Sequence, residues 1–469
     1  MKRILVFFLL CASFSAFSQK KKSVNVLLIH VDDLGATDLG VFGSDYYETP
    51  NLDRLAAEGM RFMQSYSAAA ICSPSRAALM TGNYPARTGI TDWIRAKFQG
   101  GSGLALPTDF EETDGKPLKT PKNQGFLPLD ELTLAERLKA QGFSTMHVGK
   151  WHLGEEGNHP ENQGFDINIG GNDLGQPPSY FDPYLAKNAA PTYVLKNVPP
   201  RKEGEFLTDR EGDEIVKFIQ NRDGQFFIHW APYAVHTPIM GPEELVEKYK
   251  AKVPGIQKNP TYAALVENLD QNVGKILSEL DRLGLRKNTL IIFTSDNGGL
   301  IGNPQNPVTV NLGLRSFKGY PYEGGIRVPS IVSLPGQIPA GTVSQTPIIT
   351  MDWVPTILEM VGEKNTSTDG VSLVPALLQK GSLADRDLFW HFPHYREPDI
   401  RPYSIIRSGA YKLIYYFDGS EAELYDLSND PLEEKNLAKQ LPFLTSQLKT
   451  KLDNWWKETD ARLPVSQVD

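Results

Sequence analysis

The chain has 469 residues, of which 40% are hydrophobic and 22% are charged, and its formal net charge is −8. This composition is that of an ordinary globular protein and argues against a disordered or fibrous chain. The negative net charge excludes capture of nucleic acid by overall charge, so an anionic substrate would need a local cluster of basic side chains. The length predicts one large domain with a smaller one.

The N-terminus has the features of a signal peptide. Lys2 and Arg3 give a basic start, residues 4–10 are apolar, and Ala16 and Ser18 are small residues at positions that a signal peptidase reads. We expect cleavage after Ser18 and therefore an exported protein, either periplasmic or secreted. No later stretch of the sequence is apolar enough to predict a membrane span.

The first predicted element is a buried strand over residues 24–31, an apolar run rich in β-branched residues. Asp32 and Asp33 follow it directly. Adjacent carboxylates are hard oxygen donors of the kind that bind Ca²⁺ or Mg²⁺. Taken alone, such a pair after a strand is more often a turn or a helix cap, so a metal site needs support from elsewhere in the chain.

Cys72 comes next, immediately before a predicted short helix. Pro74 suits the first helical turn, residues 77–81 continue the pattern, and Gly82 is a suitable end. Cys72 would then lie at the helix N-terminus, where backbone N–H groups and the helix dipole favour an anion. Arg76 follows one turn later and should lie on the same face of the helix.

Cysteine usage sets Cys72 apart. The chain has two cysteines, and Cys11 would leave with the signal peptide, so Cys72 keeps no disulfide partner. Exported proteins usually meet an oxidising compartment. A lone cysteine there is either a buried structural residue or a chemically special one.

Two further predicted strands, over residues 143–148 and 226–230, are also followed by polar residues. Lys150 and His152 come after the first of them, and His236 comes after the second. Ligand sites in open α/β sheets form where the carboxyl ends of the strands meet, so these side chains should converge. Individually, each of them is more often a solvated or internally bonded residue.

A fourth predicted strand, over residues 290–294, is followed by Asp296 and Asn297, which add a carboxylate and an amide oxygen to the possible metal ligands. Lys318 is a further candidate cation. Helical patterns separate the strands at residues 132–141 and 262–283. This alternation predicts an α/β fold with a largely parallel sheet.

The pattern changes between residues 370 and 386. Four short antiparallel strands and a terminal helix are predicted beyond this point, over residues 388–391, 403–407, 412–417, 423–425 and 444–456. These elements predict a smaller α+β subdomain. The predicted organisation is a signal peptide at 1–18, a main domain at 19–375 and a C-terminal subdomain at 376–469.

These segments together resemble the formylglycine-dependent type I sulfatases, arylsulfatase-like members of the alkaline-phosphatase-like superfamily. Residues 72–82 resemble the first signature of that family, with its Cys-x-Pro-x-Arg core, and residues 142–152 resemble the second. Residues 31–35 and 295–299 resemble the metal-binding segments, and residues 425–438 resemble the C-terminal region. The resemblance implies an α/β fold of the alkaline-phosphatase type. That fold has a large mixed, mostly parallel sheet flanked by helices, and a smaller C-terminal α+β subdomain made of a short antiparallel sheet and a terminal helix.

The resemblance also implies a metal ion and a modified residue. Ca²⁺, with Mg²⁺ as the less suitable ion, would bind at Asp32, Asp33, Asp296 and Asn297 together with residue 72. Cys72 would be converted to formylglycine (3-oxoalanine) by a formylglycine-generating maturation enzyme. The hydrated aldehyde would then be the nucleophile.

The catalytic roles of the family carry over to matching positions. By this resemblance, Arg76 would hold the hydrated aldehyde, and Lys150, Lys318 and His236 would contact the sulfate oxygens. His236 would also protonate the leaving oxygen, whereas His152 would take a proton from the second hydroxyl. The cations would neutralise the negative charge that otherwise repels the nucleophile.

A sulfatase that is exported is expected to hydrolyse sulfate esters of a polysaccharide or of its oligosaccharide fragments. Algal glycans such as ulvan, carrageenan and fucoidan are our first expectation, and glycosaminoglycans are the next. The main alternative is a phosphodiester or phosphonate hydrolase of the same superfamily, because phosphonate hydrolases also use formylglycine. A non-catalytic carbohydrate-binding relative is a further alternative, which the complete set of polar residues argues against.

Two insertions and a C-terminal segment are expected to surround the site: residues 94–129, 164–208 and 390–396. Loops of this length are usually functional or disordered. Arg95, His391, His394 and Arg396 are the candidates for substrate contacts, whereas Trp93 is expected to lie in the core. Walls on three sides predict a pocket that admits a chain end. The alternative is that residues 94–129 form a solvated loop and that His391 packs within the subdomain.

Overall fold

A computed structural model of the protein describes residues 24–101, 103–185, 193, 195, 197–198, 202–363, 367–396 and 399–467. The predicted signal peptide at 1–18 lies outside the described residues. The main sheet has eight strands, β1 (Asn25–Val31), β2 (Met60–Phe62), β3 (Ser144–Gly149), β4 (Ile167–Ile169), β5 (Phe226–Ala231), β6 (Thr289–Ser295), β7 (Ser330–Ser333) and β8 (Thr342–Ser344).

The strands of the main sheet lie in the order β8-β2-β7-β6-β1-β5-β3-β4. β1 pairs in parallel with β5 and β6, and β3 pairs in parallel with β4 and β5. β7 is antiparallel to its neighbours β2 and β6. The prediction of a mixed, mostly parallel sheet is confirmed, although β2, β4, β7 and β8 were not foreseen as strands.

Helices cover both faces of the main sheet. The longer ones are α1 (Pro50–Ala57), α2 (Cys72–Thr81), α3 (Leu134–Ala140), α4 (Leu207–Asn221), α5 (Glu243–Ala251), α6 (Pro260–Arg282), α7 (Trp353–Val361) and α8 (Pro442–Glu458). α1, α4, α5 and α6 pack on one face, and α2, α3 and α7 pack on the other. The sheet therefore separates two hydrophobic cores.

β1 shows why its sequence is mostly apolar. Leu27, Ile29 and Val31 enter the core on one face, and Val26 and Leu28 enter the core on the other. Successive side chains of a strand point to opposite faces, so a strand covered on both sides needs apolar residues at most positions. The same reason explains why the four long central strands of this sheet could be located by their hydrophobic runs.

The helix starts follow local sequence signals. Thr133 caps α3 by accepting a hydrogen bond from the backbone N–H of Glu136, and the carboxylate of Glu136 accepts one from the backbone N–H of Thr133. This reciprocal pair is a capping box. Asn259 caps α6 in a similar way, through its side-chain oxygen.

The C-terminal part forms the predicted antiparallel sheet. Its four strands are β9 (Asp387–Phe392), β10 (Tyr403–Ser408), β11 (Tyr411–Tyr416) and β12 (Glu423–Asp426), and α8 packs against this sheet. The insertion at 94–129 is not merely a solvated loop, because its strands Phe110–Glu112 and Leu118–Pro121 form a small sheet with Val465–Ser466 near the C-terminus.

A third hydrophobic core joins the two parts of the chain. It combines residues of the main domain, such as Tyr66 and Ile71, with residues of the C-terminal sheet and α8, such as Ile405 and Trp455. In the part of the chain that the structure describes, no helix has the length and apolarity needed to cross a bilayer.

Candidate active site

The predicted polar residues converge at the carboxyl ends of four neighbouring strands. Asp32 and Asp33 follow β1, Lys150 and His152 follow β3, His236 follows β5, and Asp296 and Asn297 follow β6. Cys72 is the first residue of α2, and Lys318 reaches the same place from the loop after β6. The parallel arrangement of the strands is what brings these distant segments to one edge.

Cys72 is buried at the N-terminus of α2, and the Nζ atom of Lys318 lies 3.2 Å from its sulfur. Burial alone would raise the pKa of the thiol, but the positive charges of Lys150 and Lys318 outweigh it and lower the pKa to about 6. The neighbouring Ser73 donates a hydrogen bond to the carbonyl of His152 and so ties α2 to the end of β3. The position therefore favours a negatively charged or strongly polar group at residue 72.

Arg76 is fully engaged beneath Cys72. Its Nε and Nη2 atoms lie 2.9 and 2.7 Å from Oδ2 of Asp296, and its Nη1 atom donates to the carbonyl of Lys150 at 3.0 Å. The same Nη2 atom is 3.5 Å from Oδ1 of Asp32. Arg76 thus links α2 to the ends of three strands, and its charge balances two buried carboxylates.

The other carboxylates are paired with the two lysines. Lys150 Nζ lies 2.7 Å from Oδ2 of Asp32, and Lys318 Nζ lies 2.6 Å from Oδ1 of Asp33. Burial, with the nearby charge of Asp296, raises the pKa of Asp32 to about 8 in spite of Lys150. Burial acts on Asp33 as well, but Lys318 and His236 outweigh it and lower the pKa of that carboxyl.

Several oxygens of this cluster make no hydrogen bond. They are Oδ1 of Asp32, Oδ2 of Asp33 and Oδ1 of Asn297, all of them buried. One carboxylate oxygen from each of Asp32 and Asp33 lies within 4.8 Å of the Cys72 sulfur and a ring nitrogen of His236. Buried oxygens without donors are costly unless a cation pairs with them, so this donor set fits a divalent cation.

Asp296 and Asn297 also contact this cluster, but in a different manner. Oδ1 of Asp296 accepts a hydrogen bond from the backbone N–H of Asp33, and its Oδ2 is taken by Arg76. The amide nitrogen of Asn297 donates to Oδ1 of Asp33 at 2.8 Å. Burial would raise the pKa of Asp296, but Arg76 and Lys150 outweigh it and lower that pKa.

His152 is a neutral imidazole. Its Nε2 atom donates to the carbonyl of Ile94 at 2.7 Å, and its Nδ1 atom has no hydrogen-bond partner. Burial and the charge of Lys150 hold its pKa well below the ordinary value. Its backbone has a φ of 60°, in the left-handed region that non-glycine residues rarely adopt. His152 therefore offers an unprotonated nitrogen in a constrained position.

His236 has the opposite electrostatic environment. Its Nε2 atom lies 3.5 Å from Oδ2 of Asp33, and its Nδ1 atom donates to the carbonyl of Thr237 at 2.9 Å. Burial alone would lower the pKa of His236, but Asp33 and Asp32 outweigh it and raise the pKa. Two imidazoles of the site thus favour different protonation states, which suits one for donating and the other for accepting a proton.

Cys72, His152, His236 and Lys318 share one cavity of about 240 Å³. All three predicted walls contribute to it: Ala96 and Gln99 from the first, Gln176 and Tyr193 from the second, and Arg396 from the third. Trp93, directly before the first wall, lines it as well. The prediction that Trp93 lies in the core is wrong, because Trp93 is only partly buried and lines this cavity. Gln176 and Tyr193 had no distinguishing signal in the sequence.

Of the four predicted substrate residues, Arg396 lines the cavity and the others do not. Arg95 is exposed, with its guanidinium 6.0 Å from the centre of the Trp93 ring. His391 is buried between Ser404 and the carbonyl of Arg462, and His394 is buried against Thr91. The expectation that the two histidines reach the substrate is therefore wrong, because both rings are buried away from the cavity. Burial also keeps both rings neutral, since it lowers the pKa of His391 to about 4 and that of His394 to about 3.

Comparison with known proteins gives matches over the whole described chain. Residues 24–363 match the model of the Sulfatase family, and residues 316–458 match that of N-sulphoglucosamine sulphohydrolase, C-terminal. A protein named Sulfatase from Formosa agariphila is 33% identical, over 98% of this chain and 94% of its own length. N-acetylgalactosamine-6-sulfatase from Mus musculus is 37% identical, over 78% of this chain and 68% of its own. The solved structure of Ps i-CgsB in complex with k-i-k-neocarrahexaose aligns with a TM-score of 0.77 at 28% identity, over 92% of each chain.

Proposed function

Since this chain belongs to the sulfatase family of the alkaline-phosphatase-like superfamily and is a sulfuric ester hydrolase, we propose that it removes sulfate from sulfated oligosaccharides by means of a formylglycine made from Cys72. The observation that carries this proposal is the position of Cys72. Cys72 begins a helix on the wall of a cavity, the Nζ atom of Lys318 contacts its sulfur, and carboxylate oxygens that make no hydrogen bond lie beside it. A cysteine with only a packing role would not require a lysine and carboxylates next to its sulfur.

The names of similar proteins support a carbohydrate substrate. One relative is an N-acetylgalactosamine-6-sulfatase, and one similar structure contains k-i-k-neocarrahexaose. For this chain we propose algal glycans such as carrageenan, fucoidan or ulvan, ahead of glycosaminoglycans. The predicted signal peptide supports an exported enzyme that meets such polymers outside the cytoplasm.

Positive charge is the first requirement for cleaving a sulfate ester, because the ester oxygens repel an incoming nucleophile. Lys318 lies at the cavity wall and would pair with a sulfate oxygen, and Lys150 supplies a second charge just beneath it. A divalent cation, for which we propose Ca²⁺, would be held by Asp32, Asp33, Asp296 and Asn297 and would add further positive charge when bound. Formylglycine at residue 72 would supply the nucleophilic oxygen through its hydrated aldehyde.

The two histidines would move the protons. Nδ1 of His236 is committed to the carbonyl of Thr237, so Nε2 is the atom that gains and releases a proton. Asp33 stabilises the protonated form, and His236 borders the cavity where a leaving sugar oxygen would lie. His152 is neutral with a free Nδ1 atom, so it would accept a proton from the group at residue 72.

The shape of the site favours action at chain ends. A cavity of about 240 Å³ is smaller than the ~300–1,000 Å³ usual for drug-sized ligands, so it suits one substituted sugar. Walls on three sides would obstruct a chain that continues in both directions. We therefore propose that the enzyme releases sulfate from terminal sugars. Faster release per sulfate group from lyase-digested fragments than from intact polymer would support this.

The experiment begins with the nucleophile. Peptide mass spectrometry on active enzyme should find an aldehyde in place of the Cys72 thiol, and Cys72→Ala should lose all turnover. Sulfate release should be measured on a panel of defined sulfated oligosaccharides. Full activity with an intact thiol would overturn the proposal, and faster cleavage of matched aryl phosphate diesters than of aryl sulfates would favour the phosphodiester or phosphonate hydrolase.

The metal is tested separately by chelation. We expect chelation to abolish sulfate release and to lower the melting temperature, because buried carboxylates then lose a cationic partner. Added Ca²⁺ should restore both in the wild type, and Asp32→Asn should reduce the restoration of each. Undiminished turnover in metal-free protein would contradict a metal at this site.

A further inference from the structure

Trp93 and Arg396 border the same cavity as Cys72 but take no part in the proposed chemistry. The two residues are far apart in the sequence. Trp93 directly precedes the first insertion, and Arg396 lies in the turn after β9. An indole face is suited to stacking on a sugar ring, and a guanidinium is suited to a planar anion. Their placement on one wall of the cavity makes both side chains candidates for contacts with the substrate.

The Trp93 side of this wall is rigid. The amide oxygen of Asn123 accepts hydrogen bonds from the backbone N–H groups of Thr91 and Asp92 at 2.9 and 3.0 Å. The amide nitrogen of Asn123 donates to the carbonyls of Asp92 and Trp93 at 2.9 and 3.3 Å. A single half-buried side chain therefore fixes the turn that presents Trp93.

The Arg396 side is also fixed at its backbone. The N–H of Arg396 donates to the carbonyl of Ile400 at 2.9 Å, and the N–H of Ile400 donates to the carbonyl of Arg396 at 2.8 Å. Both sides of this wall are thus held in place before a ligand binds. Such preorganisation reduces the entropy that binding costs.

The guanidinium of Arg396 keeps unused binding capacity. Its Nη1 atom is buried without a hydrogen bond and has Oδ1 of Asp92 at 3.9 Å, whereas 34% of the side chain remains exposed and available to a ligand. That oxygen already accepts the backbone N–H of Trp93 at 2.8 Å. Burial raises the pKa of Asp92 to about 6 even beside Arg396, so the pair is a weak one.

The arginines of a second cleft behave differently. A cleft of about 450 Å³ lies between the main domain and the C-terminal sheet. Its arginines are bonded to neighbouring oxygens, namely Arg327 to the carbonyl of Met63, Arg386 to Asp352 and Arg407 to the hydroxyl of Tyr66. Arg396 is therefore the better candidate for binding an external anion.

We propose that Trp93 and Arg396 form a subsite for a second anionic group, a sulfate or a carboxylate, on the sugar whose sulfate ester is cleaved. This inference rests on the proposed function and makes it more specific. Trp93 would pack against the sugar ring, and Arg396 would pair with the second anion. The preferred substrate would then be a sugar that carries two negative charges.

The test compares substrates that differ only in the second anion. The hexose with a single sulfate and no other charge that is cleaved fastest in the panel is compared with its derivative bearing a second sulfate. Where the cleaved sulfate is not on C6, it is also compared with its derivative oxidised to the C6 carboxylate. We expect at least one of the two derivatives to have a kcat/KM at least tenfold higher than that of the parent. In Arg396→Gln this ratio should fall to near unity, and Arg396→Lys should retain part of it because a lysine binds one oxygen only.

Lys97→Gln is the matched control. Lys97 is an exposed cation of the first insertion, and its replacement changes the net charge by the same amount as Arg396→Gln. We expect it to keep the ratio of the wild type. No preference in the wild type, or an equal loss on all three substrates in Arg396→Gln, would overturn the subsite. Absence of sulfate release from every sugar in the panel would instead overturn the proposed function, so the two failures are distinguishable. A preference for only one derivative would identify the anion as sulfate or carboxylate.

Discussion

Cys72 illustrates how its surroundings change the chemistry of one residue. Burial raises the pKa of a thiol, and most buried cysteines are inert for that reason. Here Lys150 and Lys318 outweigh burial, and the pKa falls to about 6. The two cations favour an anion at residue 72 whichever group that residue carries, which is the property that a site for sulfate esters requires.

His236 gives a prediction about leaving groups. His236→Ala should lower kcat on sugar sulfates by ~10²–10⁴-fold, the usual contribution of a general acid. The loss on an activated aryl sulfate should be much smaller, because its leaving group departs without a proton. Steady-state rates on both substrate types measure this difference, and equal losses would count against the assignment.

Thr237 supplies a graded version of the same experiment. Its hydroxyl lies 3.1 Å from Nδ1 of His236 and donates to Oε1 of Gln176 at 3.1 Å. Thr237→Val removes this support but keeps the carbonyl that holds Nδ1. We expect a loss of ~5-fold on sugar sulfates, the equivalent of about 1 kcal/mol for one hydrogen bond, with little change on aryl sulfates.

His394 gives a prediction about acid stability. Burial lowers its pKa to about 3, whereas the unfolded chain has the ordinary value of 6.5. Between these two values the unfolded state binds the proton and the folded state does not, so stability falls as the pH falls. At pH 5 this one residue should cost ~2 kcal/mol of the stability present at pH 7.5.

The variant His394→Gln isolates this effect, because glutamine keeps a polar side chain near Thr91 but does not titrate. Urea unfolding gives the unfolding free energy of both proteins at pH 7.5 and at pH 5. The stability of the variant relative to the wild type should increase by ~2 kcal/mol when the pH is lowered from 7.5 to 5. A difference that is independent of pH would show that His394 is not responsible.

At the level of elements, a buried ion cluster connects the C-terminal sheet to the main domain. Lys412 on β11 has no exposed side-chain surface, and its Nζ atom lies 3.1 Å from Oε1 of Glu323 and 2.8 Å from Oε1 of Glu433. Glu323 belongs to the segment after β6 and Glu433 to the segment after β12. One lysine thus pairs with two carboxylates from different parts of the chain.

Removing this cation should be strongly destabilising. Lys412→Met would leave two buried carboxylates facing each other, and we expect the free energy of unfolding to fall by ~3–5 kcal/mol. Lys439→Met is the control, because the Lys439–Glu421 pair is exposed and should change stability by no more than ~0.5 kcal/mol. Urea unfolding at neutral pH measures both, and equal effects would refute a special role for the buried cluster.

At the level of the whole molecule, the predicted boundary near residue 375 does not separate two independent cores. Tyr66, Ile71 and Met351 of the main domain pack in one hydrophobic cluster with Ile405 and Trp455 of the C-terminal part. Cutting the chain at this boundary would expose both sides of that cluster to water. The free energy lost would include ~25 cal/mol for each Å² of apolar surface exposed.

We therefore expect residues 19–375 not to fold alone. Expressed by itself, this segment should aggregate or lack a cooperative thermal transition, whereas residues 19–469 should be folded and unfold cooperatively. Calorimetry and size-exclusion chromatography of the two chains provide the measurement. A soluble, cooperatively folding 19–375 segment would show that the shared core is dispensable.

The sequence by itself determined the main strands and the groups that follow them. β1, β3, β5 and β6 are buried on both faces, so each is a largely apolar run, and the carboxyl ends of these four parallel strands meet at one edge. The short antiparallel strand β7 left no comparable signal, because three or four apolar residues occur in many settings. In the main sheet, the long strands were therefore predictable and the short ones were not.

Only the tertiary structure decided which loop residues face the cavity. His391, His394 and Arg396 lie within six positions of one another, yet the two histidines are buried against Ser404 and Thr91 while Arg396 lines the cavity. Trp93 and Gln176 reach the site through contacts with segments far away in the chain. Side-chain direction in a loop depends on such long-range contacts and not on a local period, so no pattern in the sequence could distinguish these residues.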